Sequence, residues 1–101
     1  MRKNRRDPDP GTKAALDDTI ARFYKTALEM RSSILRENPA IRQKEYRVAI
    51  YRMLIPCQND LMMRFVRSIS QDDMVYLSNA LTDKVMFVVD MPTSADIRQK
   101  D

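Results

Sequence analysis

One glycine in 101 residues is the strongest constraint on this chain. Tight turns of the kind that join β-strands draw heavily on glycine, because it reaches positive φ without steric penalty. A sandwich or barrel needs many such turns. With Gly11 the only glycine, the chain is expected to have few turns and therefore long helices. The fold expected is all-α: a small bundle of three helices, or of four if Pro56 separates two.

The apolar residues carry the same message. Leu16, Ile20, Phe23, Ala27, Met30 and Ile34 recur at alternating intervals of four and three, the period of a heptad seam. This predicts a first helix from Thr12 to Glu37, capped by Asp9 or Thr12, with Asp17 and Asp18 near its positive end. Asn38-Pro39 then reads as a stop and a new start, with Asn38 capping the next helix and Pro39 in its first position. A connection that short implies an antiparallel helical hairpin.

The middle segment, Ala40 to Ile69, carries two stripes. Ile50, Leu54, Cys57, Leu61 and Phe65 form one. Val48, Tyr51, Ile55, Met62, Val66 and Ile69 form the other. Together they cover more than half of the helix surface, which predicts burial on two sides. The first stripe passes through Pro56 without losing phase. Its continuity favours one helix kinked at Pro56, by loss of the bond to the Arg52 carbonyl, over a break into two. Ser70-Gln71-Asp72-Asp73 opens the last helix with a capping serine and an acidic first turn. Met74, Leu77, Leu81, Val85 and Val88 continue it at spacings of three and four. That spacing favours helix over strand for Val85–Val89 despite its β-branched content. The domain plan is thus a flexible basic arm over 1–11, a helical domain over 12–91 and a disordered polar tail over 92–101.

Composition removes most enzyme chemistry. The chain has no histidine and one cysteine, Cys57. Ser-His-Asp, Cys-His and HExxH arrangements are therefore closed to it, as is a zinc site of thiolates and imidazoles. A single glycine excludes phosphate loops of the GxGxxG and Walker types. Asp17-Asp18 and Asp72-Asp73 diverge by about 100° on a helix and read as dipole partners rather than catalytic pairs. Cys57 lies on an apolar stripe and reads as core. The expectation is a non-enzyme with no cofactor, no metal and no small-molecule substrate.

Charge is uneven. The chain holds 18 Lys and Arg against 14 Asp and Glu, and Arg2, Lys3, Arg5 and Arg6 account for the whole excess. This arm suits phosphate backbones or acidic protein surfaces. The nearby Asp7 and Asp9 weaken it as a nucleic-acid arm, and Arg42, Lys44, Arg47 and Arg52 do not share one helical face. Tyr24, Tyr46, Tyr51 and Tyr76 read as boundary residues with apolar rings and wet hydroxyls. No apolar run follows the basic start, and runs such as Val85–Val89 are far short of the roughly 20 residues that span a bilayer. A soluble, intracellular protein without a membrane partner is expected, cytoplasmic, or nuclear if the source is eukaryotic.

The heptad seam and the broad middle arc exceed what three helices of one small chain bury. A homodimer, or a subunit of a larger assembly, is therefore expected. The functional expectation is a helical protein–protein interaction module, an adaptor or regulatory subunit binding through apolar helix faces. Candidate partner-binding residues are Phe23, Met30, Leu61, Met62, Met63 and Phe65. Eight methionines suit an adaptable surface, with Met63 placed on the polar side of the middle helix. The alternative is a nucleic-acid-associated protein using Arg2, Lys3, Arg5 and Arg6 with the basic middle segment.

Overall fold

A computed structural model describes residues 10–93, with side chains from residue 13 onward. The described residues form three helices: α1 (Pro10–Glu37), α2 (Gln43–Phe65) and α3 (Gln71–Val89). The all-α expectation holds, and Val85–Val89 is helical. Arg2, Lys3, Arg5 and Arg6 lie outside the described residues, as do residues 94–101.

α1 begins at Pro10, two residues before the expected start. Proline is tolerated in a first helical turn, where its missing N–H has no acceptor to lose. Asp17 and Asp18 are therefore in the helix body rather than at its positive end. They do other work, described below. The seam itself behaves as its spacing requires. Leu16, Ile20, Phe23 and Ala27 are buried, and Met30 and Ile34 are half-buried against the core.

The α1–α2 connection differs from the reading of Asn38-Pro39. Asn38 still donates to the Ile34 carbonyl at 3.0 Å, so it finishes α1 instead of capping α2. Ile41 donates back to the Asn38 carbonyl at 3.0 Å and buries its side chain. Burial of Ile41 holds residues 39–42 as a turn, and α2 starts only at Gln43. Arg42 stands at the cap position but has no side-chain acceptor to offer. Glu45 supplies the bond instead, its carboxylate accepting from the Arg42 backbone N–H at 3.2 Å.

α2 runs through Pro56 as one helix and ends at Phe65, four residues before Ile69. Its buried residues are Tyr46, Ile50 and Leu54. Tyr46 was expected at the boundary with a wet hydroxyl. It is instead fully buried, and its hydroxyl donates to the Val88 carbonyl. Beyond Leu54 the first stripe continues with Cys57, Leu61 and Phe65, all only half-buried. The second stripe is divided, with Ile55, Met62 and Ile69 half-buried against the core. Val48, Tyr51 and Val66 each keep 48% of their surface exposed.

α3 follows its reading closely. Ser70 caps it, its hydroxyl accepting from the Asp73 N–H at 3.1 Å. Leu77, Leu81, Val85, Val88 and Val89 are buried. The chain does not turn polar and loose at residue 92. Thr93 is fully buried, and Met91–Thr93 bonds to the ends of α1 and α2. Pro92 and Thr93, the first two residues of the expected tail, are thus held by the Arg31 and Gln43 side chains, and the rest of it lies outside the described residues. α3 packs on both other helices, which touch each other less.

Candidate functional site

The consequence of that packing is a groove between the first half of α1 and the second half of α2. It has a volume of about 480 Å³. Phe23 from α1 and Leu61 and Phe65 from α2 make it apolar, with Cys57 beside them. Thr19 and Thr26 line the α1 wall. Phe23 is only 4% exposed and serves both core and groove. Leu61 and Phe65 are half-buried, so apolar surface remains available there.

Two ion pairs bear on the groove. On α1, Arg22 Nε lies 2.9 Å from Asp18 Oδ2. On α2, an Arg64 guanidinium nitrogen lies 3.0 Å from Asp60 Oδ2. All four residues line the groove. Both pairs are i,i+4 and well exposed, so each contributes little to stability. Their effect is on recognition. Each wall shows one acid and one base, and the groove carries no net charge.

Three of the six candidate binding residues, Phe23, Leu61 and Phe65, thus meet in one place. Met30 and Met62 pack half-buried against the core and do not line the groove. Met63 is 70% exposed, the most open large apolar residue described, and also lies outside it. Cys57 is not the enclosed core thiol expected from its stripe. It is half-buried, at the groove. Asp18, Thr19, Arg22, Thr26, Asp60 and Arg64 were missed as groove residues. The Asp-x-x-x-Arg spacing in both helices, beside the apolar stripes, was the available signal.

Asp17 does not belong to the groove. It accepts from the Tyr76 hydroxyl and pairs with Lys13 at 3.4 Å, tying α1 to α3. The Tyr76 bond, with Lys13 helping, holds the Asp17 carboxyl below its ordinary range. The same bond pushes the Tyr76 phenol up. Tyr46 is also pushed up, by burial against the partial opposition of Arg31.

A shallower depression of about 290 Å³ lies among Arg47, Val48, Tyr51, Arg52 and Val89. Arg47 is already paired there with Asp90 at 3.1 Å. Among the described residues no group of three His, Cys, Asp or Glu is placed to hold a metal ion. No described helix is long and apolar enough to cross a membrane. Comparison with protein-family models, curated proteins and solved structures finds no match.

Proposed function

We propose that this protein is a non-enzymatic interaction module that takes an amphipathic helix of a protein partner into the α1–α2 groove. The observation that carries the reading is the convergence of Phe23, Leu61 and Phe65 on an open groove lined by two acid–base pairs. A helix seated there would be read through anchors at i, i+4 and i+7. The groove suits that length, since Asp18 to Thr26 covers about 12 Å of helix axis. The alternating signs call for a partner with both acidic and basic residues flanking its apolar stripe. A strongly acidic or basic helix would face a like charge on each wall.

In this reading Pro56 is the bend that opens the groove. It removes the donor to the Arg52 carbonyl, the usual cause of a helix kink, one residue before Cys57 of the groove. The exposed part of the second stripe, Val48, Tyr51 and Val66, is a further apolar surface, available for self-association.

The test is titration of the full chain with a designed amphipathic helical peptide bearing mixed Glu and Lys flanks. Leu61→Asp should weaken binding at least about tenfold, the equivalent of roughly 1.4 kcal/mol. Arg64→Glu, on an exposed residue, should weaken it while leaving the fold intact, and reversing the facing charge on the peptide should restore it. Equal affinity of wild type and both variants would refute the site. Salt-titrated binding to duplex DNA and RNA separates the nucleic-acid alternative, in which affinity falls steeply with salt and depends on residues 1–6.

A further inference from the structure

At the other end of the bundle the chain ties its own helices together. Gln43, the first residue of α2, uses both ends of its side-chain amide. Its Nε2 donates to the Met91 carbonyl at 2.9 Å, and its Oε1 accepts from the Thr93 N–H at 2.9 Å. Arg31 of α1 donates to the Pro92 carbonyl at 2.6 Å. Three consecutive residues after α3 are thus held through their main chain by one side chain from each of the other two helices. Tyr46 and Arg47 secure the approach, through the Val88 carbonyl and the Asp90 carboxylate. These contacts are polar and lie beyond the last turn of α3, outside the helices.

Building on the groove reading, we infer that Met91–Thr93 is a strap that sets how far α1 and α2 splay, and so regulates the groove. α1 and α2 touch each other less than either touches α3, so a segment bonded to both of them matters. The geometry is that of a lever pivoting at the 38–42 turn. Arg31 is about 10 Å along the helix axis from Asn38, and Arg22 is about 24 Å from it. A shift of about 1 Å at the strap therefore becomes roughly 2 Å at the groove. The strap holds a closed setting, and its release gives a wider one.

Cys57 reports the groove without any partner. The experiment compares full-length wild type, Gln43→Leu and Ile20→Val by two readouts, the exchange rate of the Thr93 amide and the maleimide labelling rate of Cys57. Leucine keeps the bulk of Gln43 and removes both bonds. Ile20→Val loosens the core without touching the strap. Gln43→Leu should speed Thr93 exchange roughly tenfold, as expected for losing a hydrogen bond of ordinary strength, and should speed Cys57 labelling severalfold. Ile20→Val should change neither by as much. Three results would overturn the inference: Thr93 exchange unchanged, Thr93 released with Cys57 labelling unchanged, or Cys57 labelling raised equally by Ile20→Val. Failure of the helical peptide to bind leaves these readouts standing. A null Cys57 result with peptide binding intact removes the strap's role alone.

Discussion

Replacing Tyr46 by phenylalanine isolates one atom of this structure. Tyr46 is fully buried, and its hydroxyl donates to the Val88 carbonyl at the end of α3. The ring, its packing and the Arg31 guanidinium 5.6 Å from its centroid are all retained by phenylalanine. Only the hydroxyl is lost. A buried hydrogen bond of this kind contributes about 0.5–1.5 kcal/mol, and a carbonyl left wholly unpartnered costs about 1–3 kcal/mol. The Val88 carbonyl is not left unpartnered, because the Met91 N–H still donates to it at 3.2 Å and the Asp90 N–H also reaches it. The expected loss is therefore about 1 kcal/mol, near the lower figure. For a chain of this size that lowers Tm by about 4–8 °C. Urea unfolding followed by circular dichroism should show a lower midpoint with an unchanged slope. A loss below about 0.3 kcal/mol would show that the bond to Val88 does not hold α2 to α3, against the usual worth of such a bond.

Other perturbations follow from the same structure. Ser70→Ala removes the cap on α3 and should cost about 1 kcal/mol, measured by thermal or urea unfolding. Pro56→Ala restores a donor for the Arg52 carbonyl in an exposed part of α2. It should stabilise the chain by about 1–3 kcal/mol, measured by urea unfolding. Alkaline pH should destabilise the fold. Tyr46 and Tyr76 both have folded pKa values raised above 10.0, so their contribution is complete below pH 10 and is lost as pH rises through the folded values. Asp17 runs the other way, since its pKa is lowered from 3.8. Its contribution is present above that value and is lost as pH falls through the folded one. In Asp17→Asn the Tyr76 phenol should titrate closer to pH 10, visible in its ultraviolet absorbance.

How much of this was legible depended on which interaction decided each feature. Periodic burial was readable, so the α1 seam and the α3 stripe from Leu77 to Val88 came out with the right residues, while Met74 stays outside the core and Val89 joins it. Capping by Ser70 was readable because it is local. Asn38-Pro39 was not, because a long-range contact, the burial of Ile41, overrode the local signal. Tyr46 sits four residues before Ile50 and belongs to the same stripe. Its hydroxyl hid that, since only the fold supplies the Val88 carbonyl that makes burial affordable. The groove was half legible. Phe23, Leu61 and Phe65 stand on the stripes, but their meeting depends on α1 and α2 both preferring α3. The docking of Met91–Thr93 had no sequence signal, because Gln43 and Arg31 hold it through its main-chain groups, which any residue carries.

The central claim is that the α1–α2 groove seats a helix, and amide chemical-shift mapping on the full chain tests it most directly. With the designed mixed-charge helical peptide added, the largest shifts should fall on Thr19, Arg22, Phe23, Thr26, Cys57, Leu61 and Phe65, and Leu61→Asp should remove them. Shifts centred instead on Val48, Tyr51 and Val66, or no shifts at millimolar peptide, would contradict it.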